Sequence, residues 1–349
     1  MSTRTKRASG RAPRVGRVDA PGRRVNVHVV NDPGVASLFH VTPEQFRAAF
    51  RRAPALLDRI RVTFNTGADG FDDAVRKADV LVAYQFPHRG VAGKAPRLRW
   101  IHEIGAGIDH LLPLDWLPRH VVLTNSSGVH VPRAGEFIAC ALLMLNNLIP
   151  RHVTSQRLHR WEQAFNDPIV GKTLLIVGVG TMGGEGARRA QQLGLRVLGV
   201  RRSERAHRYV DRMYRHDQLA EALGKADFIL VTTPLTSETR GLLGRKELDL
   251  VKPTAGLINM ARAGVIDHDA LMDKLNRDEL GGAILDVFDP EPLPADSPLW
   301  DCRNLMMTPH VSSDALNYTE RMLQIFADNF RRFLGGRPLR NVVGPTSQY

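Results

Sequence analysis

A glycine-rich segment in the middle of the chain has the spacing of a phosphate-binding turn. Residues 174–183 read Leu-Leu-Ile-Val-Gly-Val-Gly-Thr-Met-Gly, and a helical pattern follows over 185–193. The first glycine allows a tight turn, the second lets the backbone approach a phosphate, and the third lets the helix pack closely on the strand. Free N–H groups at the helix N-terminus would then face an anionic pyrophosphate. The residues predicted to bind a dinucleotide here are Gly178, Gly180, Thr181 and Met182.

Two arginines and a serine follow the next predicted strand, which covers 195–200. A dinucleotide fold that prefers NAD carries an acidic residue at this point to bind the ribose hydroxyls. Arg201, Arg202 and Ser203 stand there instead, and guanidinium groups are suited to binding a 2′-phosphate. We therefore predict that the cofactor is NADPH and that NADH binds more weakly.

Polar residues follow four further predicted strands in the same half of the chain. In open α/β sheets, ligands bind beyond the carboxyl ends of the strands. Arg262 alone would be typical of a surface arginine and His310 alone of a structural histidine, but both fall at the sheet edge that carries the glycine turn. This joint occurrence favours a site. The other strand-end residues predicted to contact the cofactor are Thr233, Pro234, Met260, Ala261 and Asp286.

Two series of alternating strands and helices must position these residues. The first begins at Val25, and its first helix has Thr42 as a predicted N-cap and Pro43 at its first position. The second begins near Lys172 and contains six short, continuous apolar runs, which are typical of buried parallel strands. We predict an α/β protein with two doubly wound parallel-sheet domains. A helix over 134–148 bridges them, and a final helix over about 318–334 returns to the first domain.

The predicted boundaries place one domain inside the other. The dinucleotide-binding (Rossmann) domain covers 126–310 and is inserted into a flavodoxin-like substrate domain that covers 25–125 and 311–340. Residues 1–24 carry eight Lys or Arg and one acid, which leaves +5 of the net charge of +12 for the rest of the chain. Without apolar periodicity or a clear amphipathic face, this segment is predicted to be a disordered basic tail rather than a targeting segment or a nucleic-acid interface.

Composition is that of a soluble globular protein. Hydrophobic residues make up 43% and charged residues 24% of the 349 residues, and no run approaches the roughly 18 apolar residues of a membrane span. Cys140 and Cys302 form neither a disulfide framework nor a metal-ligand spacing. We therefore expect a cytoplasmic protein without a metal site or a membrane partner.

Over residues 25–340, the chain resembles the D-isomer-specific 2-hydroxyacid dehydrogenase family. Four segments carry the resemblance. They are Gly178-Val-Gly-Thr-Met-Gly183, Asn259-Met-Ala-Arg-Ala-Gly264, Asp286-Val-Phe-Asp-Pro-Glu-Pro292 and Thr308-Pro-His-Val-Ser312. Arg201 and Arg202 depart from the acidic residue of NAD-dependent members and resemble the glyoxylate, hydroxypyruvate and hydroxyphenylpyruvate reductases that prefer NADPH.

The resemblance implies that Arg262, Glu291 and His310 are the catalytic residues. Arg262 would bind and polarise a 2-oxoacid, and His310 would donate a proton to the developing alkoxide. Glu291 would hold the other ring nitrogen of His310 and fix its tautomer. The substrate-binding residues that the resemblance implies are Ala106 and Gly107, through their backbone N–H groups, together with Arg262 and His310. It also implies a homodimer whose interface includes the 134–148 helix and the region of Trp161.

The sequence leaves more than one function open. The leading hypothesis is reduction of a small 2-oxoacid of the glyoxylate or hydroxypyruvate type to the D-2-hydroxyacid. The first alternative is a reductase of a larger aromatic or branched 2-oxoacid. The second is a nucleotide-sensing regulatory protein built on a dehydrogenase fold, which only the basic tail supports.

Overall fold

The computed structural model describes residues 22–203 and 205–344 and divides them into two compact units. The first unit contains the chain up to Val129 and resumes at Leu316, and the second covers His130–Ala315. Residues 1–21 of the predicted tail lie outside the described residues. At its end, Arg23 Nη2 lies 3.0 Å from Oδ1 of the buried Asp79.

The first unit contains a five-stranded parallel sheet with the strand order β2-β1-β3-β4-β5. Its strands β3 and β4 are buried along their whole length, as expected for a sheet covered on both faces. Thr42 and Gln45 form a capping box at the start of α1, with Pro43 at its first position, which confirms the predicted cap. The elements are β1 (Val25–Asn31), α1 (Pro43–Ala49), α2 (Pro54–Leu57), β2 (Ile60–Thr66), α3 (Phe71–Val75), β3 (Val80–Ala83), α4 (Val91–Lys94), β4 (Trp100–Glu103) and β5 (Val122–Thr124).

The second unit contains a seven-stranded parallel sheet with the strand order β12-β11-β10-β9-β6-β7-β8. The order reverses at β6, the strand that precedes the glycine turn, so the turn lies at the switch point where doubly wound sheets bind ligands. The elements are α5 (Val131–Asn146), α6 (Ile149–Arg157), β6 (Thr173–Val177), α7 (Thr181–Gln192), β7 (Arg196–Val200), β8 (Arg212–Tyr214), α8 (Leu219–Leu223), β9 (Phe228–Val231), α9 (Arg245–Leu248), β10 (Gly256–Asn259), α10 (His268–Asn276), β11 (Gly282–Leu285) and β12 (Leu305–Met307).

The last helix, α11 (Tyr318–Leu334), belongs to the first unit and completes its core. Phe326, Phe330 and Phe333 are fully buried on one face of this helix, and the ring of Phe326 stacks on Trp100 at a centroid distance of 5.0 Å. Burial of each such side chain is worth roughly 1.5–3 kcal/mol. Aromatic packing therefore ties the end of the chain to the sheet formed by its beginning.

Close packing explains the glycines at the start of α7. A Cβ atom on Gly186 would lie 2.7 Å from Leu230 Cδ2 on β9 and 3.3 Å from Ile138 Cδ1 on α5, and one on Gly184 would lie 2.8 Å from His207 Nε2. Each glycine costs roughly 1 kcal/mol of helix propensity relative to alanine. In return, the glycines allow α7 to pack closer to the sheet and to α5 than a larger residue would permit.

The predicted fold class is confirmed, and two elements differ from the prediction. The second sheet has seven strands rather than six, because the short edge strand β8 was not predicted. The helix predicted over 134–148 begins earlier and ends at Asn146, since Leu148 adopts the left-handed conformation with φ of 54° and α6 starts after it. Within the described ranges, no single helix is long and apolar enough to cross a membrane, although α5 and α6, bent by 63°, pass that test as a pair.

Candidate active site

The turn after β6 has the geometry that its three glycines predict. Gly178 has φ of 102°, and a Cβ atom there would lie 2.6 Å from the backbone nitrogen of Thr233. A Cβ on Gly183 would collide with the carbonyl oxygen of Gly178, so the first and third glycines are both sterically required. By contrast, no atom of the described residues lies within 4 Å of a Cβ built on Gly180. The second glycine, at the N-cap of α7, therefore faces open space that can accommodate a phosphate group, with Thr181 and Met182 beginning the helix behind it.

The arginine pair lies next to this turn. Arg201 Nε donates to the carbonyl oxygen of Ser203 at 2.9 Å and lies 2.8 Å from its hydroxyl oxygen, while Nη1 donates to Val179 O at 3.2 Å. Arg202 is exposed and lies 3.7 Å from Glu238 in an ion pair that solvent weakens. The structure thus places Arg201 and Ser203 together beside the glycine turn, whereas Arg202 points to a competing surface carboxylate.

The ends of β9 and β10 carry the next group of predicted residues. Thr233 and Pro234 are half-buried after β9, with Thr233 held closely against Gly178. After β10, the side chain of Asn259 accepts from Ala261 N at 3.0 Å and donates to the carbonyl oxygen of Arg262 at 3.2 Å. This turn buries Met260 and Ala261 and leaves the Arg262 side chain half-buried, with Nη1 donating to Ala261 O at 2.7 Å.

Glu291 and His310 are in direct contact. Glu291 Oε2 lies 2.7 Å from His310 Nδ1, and Glu291 Oε1 accepts from Phe288 N at 2.8 Å. An ionised carboxylate only accepts hydrogen bonds, so Nδ1 carries a proton and the ring presents Nε2 on its other side. The His310 side chain is 45% exposed and that of Glu291 36%, so a substrate atom can approach the imidazole. The contact that the family resemblance implied is present in the structure.

Asp286, predicted as a cofactor contact, has a set of donors within the protein. Its buried carboxylate accepts from Thr308 Oγ1 at 2.6 Å, from Val311 N at 3.0 Å, and from both the backbone nitrogen and the hydroxyl of Ser312. His310 lies inside the segment that these bonds hold and has φ of 53°, a conformation that is costly for a residue other than glycine. The structure therefore gives Asp286 the task of holding the histidine segment.

Two titratable residues beside this cluster were not predicted from the sequence. His130 Nδ1 lies 3.2 Å from Ser313 O and 3.5 Å from Asp314 Oδ1. Burial lowers the pKa of His130. The charge of Asp314 and the hydrogen bond to Ser313 oppose this shift, whereas the charges of His310 and Arg262 lower the pKa further. Burial raises the pKa of Asp314, which His130 and His310 oppose. These interactions place Arg262, His310, His130 and Asp314 in one electrostatic cluster within the second unit.

Ala106 and Gly107 lie in a half-buried loop after β4 in the first unit. Below this loop, the fully buried Glu103 accepts from Gly105 N at 3.0 Å, and its Oε1 lies 3.7 Å from His110 Nε2. Burial raises the pKa of Glu103 to about 7, which the neighbouring His110 and Gly105 N–H oppose. With a pKa of about 7, Glu103 is only partly ionised at neutral pH and repels an anion at this loop less than an ordinary carboxylate would, which suits the predicted role of Ala106 and Gly107.

Known proteins agree with this architecture. Residues 139–312 match the family model described as the NAD binding domain of D-isomer specific 2-hydroxyacid dehydrogenases. A glyoxylate reductase of Korarchaeum cryptofilum is 31% identical over 71% of this chain and 77% of its own length. An (S)-sulfolactate dehydrogenase of Chromohalobacter salexigens is 33% identical over 71% of this chain and 82% of its own.

One solved structure extends the match to the whole fold. The NADPH-dependent glyoxylate/hydroxypyruvate reductase of Sinorhizobium meliloti, in complex with NADP and sulfate, aligns with 93% of this chain and 100% of its own, with a TM-score of 0.74 at 26% identity. The chain belongs to the D-isomer specific 2-hydroxyacid dehydrogenase family. It is thus an oxidoreductase whose second unit binds a nicotinamide cofactor.

Proposed function

We propose that this protein is an NADPH-preferring reductase that converts a small 2-oxoacid, of the glyoxylate or hydroxypyruvate type, to the D-2-hydroxyacid. The observation that carries the proposal is the 2.7 Å contact between Glu291 and His310 in the unit that also carries Arg262 and the glycine turn. These are the parts that carbonyl reduction needs: a cation for the oxoacid, a proton donor and a cofactor site.

Each side chain has a separate role in this proposal. Arg262 binds the substrate carboxylate and polarises the carbonyl with its fork of N–H donors. His310 donates the Nε2 proton to the carbonyl oxygen, and Glu291 accepts from Nδ1–H and stabilises the imidazolium form. Ala106 and Gly107 bind the substrate carboxylate through backbone N–H groups. The cofactor, when bound along the glycine turn, supplies the hydride that adds to the carbonyl carbon.

The cofactor preference rests on Arg201 and Ser203. They lie at the end of β7, where Arg201 Nη1 donates to Val179 O in the glycine turn. Two charge-assisted donors and a hydroxyl favour a 2′-phosphate over the bare ribose hydroxyls. The NADPH-dependent reductase of S. meliloti supports the same preference. The cofactor contacts proposed with them are Gly178, Gly180, Thr181, Met182, Arg202, Thr233, Pro234, Met260, Ala261 and Asp286.

A second substrate class is supported by one of the relatives. The relative from C. salexigens is an (S)-sulfolactate dehydrogenase, so a second anionic group on the oxoacid is a candidate feature of the substrate. The deciding experiment measures NADPH and NADH oxidation by the purified protein with glyoxylate, hydroxypyruvate, phenylpyruvate, a branched 2-oxoacid and 3-sulfopyruvate. The proposal expects the highest kcat/KM with NADPH and a small oxoacid. It is wrong for the substrate if a larger or sulfonated acid is preferred, and wrong for the class if none is reduced.

We also propose that two copies of the chain associate through the segment that follows α6. Three large apolar side chains lie there in solvent: Trp161 is 94%, Phe165 87% and Val170 71% exposed. Apolar side chains grouped in this way are typical of association surfaces. A cytoplasmic location stays a prediction.

A further inference from the structure

The proposed mechanism does not use His130 and Asp314, which lie at the two ends of the second unit. His130 is the first residue of the unit and directly precedes α5, and Asp314 is its last residue but one. Nδ1 of His130 lies 3.2 Å from the carbonyl oxygen of Ser313. A carbonyl oxygen can only accept, so Nδ1 carries the proton and donates it. The imidazole thus ties the start of α5 to the segment that follows His310.

This tie adds a second anchor to that segment. Asp286 holds the segment through Thr308, Val311 and Ser312, and His130 holds the next two residues through Ser313 O and Asp314. The residue between these bonds that carries the chemistry is His310, whose left-handed backbone persists only when the surrounding structure enforces it. Asp286 acts on both sides of His310, whereas His130 acts on the downstream side alone.

We propose that His130 is a positioning residue for His310: its hydrogen bond to Ser313 O and its contact with Asp314 hold residues 311–314 so that the His310 ring stays against Glu291. This inference rests on the proposed function, because it takes His310 as the proton donor. Small displacements of a reacting group cost large factors in rate, so loss of the tie lowers kcat while cofactor binding is unaffected.

The charges around the pair agree with this role. Asp314, His310 and Arg262 act on His130, and His130, His310 and Asp286 act on Asp314. Burial lowers the pKa of His130, which favours the neutral ring at neutral pH. A neutral ring that keeps its Nδ1 proton can still donate to Ser313 without adding a second positive charge beside Arg262.

The experiment compares two substitutions of His130. Asparagine places an amide N–H near the position of Nδ1, whereas phenylalanine keeps the ring and removes the donor. For H130F we expect kcat to fall tenfold or more, NADPH affinity measured by fluorescence titration to stay within twofold, and hydrogen exchange of residues 308–315 to accelerate. For H130N we expect kcat within about threefold of wild type and wild-type exchange. The control H28F removes a buried histidine of β1 and should change neither the exchange of this segment nor kcat.

Wild-type kcat and exchange in H130F would overturn the inference, and so would an H130N as impaired as H130F. Should H130F fail to fold, the isosteric D314N takes its place, with faster exchange and a two- to fivefold lower kcat expected; no change in either overturns the inference. Hydrogen exchange needs no substrate. If the wild type reduces no 2-oxoacid, the proposed function fails while exchange still tests the tie.

Discussion

Glu291→Gln is the substitution that tests the proposed chemistry with the smallest change in shape. The glutamine carbonyl can still accept from Phe288 N, so the loop keeps its backbone contact. Its amide nitrogen then faces His310 Nδ1 across the 2.7 Å contact, and an amide N–H requires an acceptor. Nδ1 must therefore lose its proton. The ring becomes a neutral imidazole protonated on Nε2, which is a far weaker acid than the imidazolium.

The magnitude follows from the contact and its exposure. A hydrogen bond to a charged group contributes about 1.5–3 kcal/mol net. Because the two side chains are 36% and 45% exposed, solvent screens the charge, and we take the lower part of that range, about 1.5–2 kcal/mol. At 1.36 kcal/mol per factor of ten, kcat should fall by about 10- to 30-fold. NADPH affinity should not change, since Glu291 has no proposed cofactor contact.

The assay is NADPH oxidation at saturating 2-oxoacid, with NADPH affinity measured separately by fluorescence. His310→Gln is the matched reference, because it removes the proton donor itself and should cost about 10²–10⁴-fold in kcat with normal NADPH binding. A kcat for Glu291→Gln within twofold of wild type would refute the reasoning. So would a loss as large as that of His310→Gln, because Glu291 would then be more than a partner of the histidine.

Four further predictions concern the cofactor, the folded state and the assembly. Arg201→Asp with Arg202→Ala should lower kcat/KM for NADPH at least tenfold more than for NADH, and an unchanged ratio would remove the preference argument. The pKa of Glu103 is raised to about 7, so the wild-type folded state loses stability as the pH rises from 4.5 to 7. Glu103→Gln lacks this group, and its stability relative to wild type should rise by about 1.4 kcal/mol per pH unit in that window, as measured by thermal unfolding. A difference in stability that does not depend on pH would contradict this. Gly186→Ala should lower the unfolding temperature, because overpacking against β9 costs about 1–3 kcal/mol and exceeds the roughly 1 kcal/mol of helix propensity gained. Trp161→Glu should shift the mass measured by light scattering from dimer to monomer, whereas a monomeric wild type would rule out the dimer.

The sheets could be predicted because buried parallel strands are short, continuous apolar runs, and α11 because its apolar residues recur at helical spacing. The elements that escaped prediction lack these signals. Strand β8 is three residues long, begins with the exposed Arg212 and lies at the sheet edge. The break between α5 and α6 depends on the backbone of Leu148, and the Pro150 beyond it is compatible with the first turn of a new helix.

The candidate site likewise contains residues that a sequence signal could predict and residues that carry no such signal. Strand-end positions predicted that Arg262 and His310 lie at one edge of a parallel sheet, and the family resemblance alone placed Glu291 beside His310. The bond from His130 to Ser313 joins residues 183 positions apart, and a lone histidine before a helix carries no signal of such a partner. Asp286 was predicted for its position at a strand end, but only the coordinates show that its oxygens are bound to the histidine segment.

Each unit supports a proposed substrate-contacting loop with a buried carboxyl group. In the first, Glu103 accepts from Gly105 N below Ala106 and Gly107; in the second, Asp286 accepts from the segment that contains His310. A loop that exposes N–H groups or an imidazole has no apolar packing on its exposed side. Its position therefore depends on hydrogen bonds to groups on its buried side. A buried carboxyl group accepts such bonds at a fixed distance, but it is costly unless it is neutral or fully hydrogen-bonded. The two carboxyl groups differ in this respect: burial raises the pKa of Glu103 to about 7, so that it is partly protonated at neutral pH, whereas four donor groups surround Asp286. The proposed binding of the substrate carboxylate at Ala106 and Gly107 is compatible with a partly neutral Glu103, while the proposed proton donor His310 is compatible with the charge of Asp286.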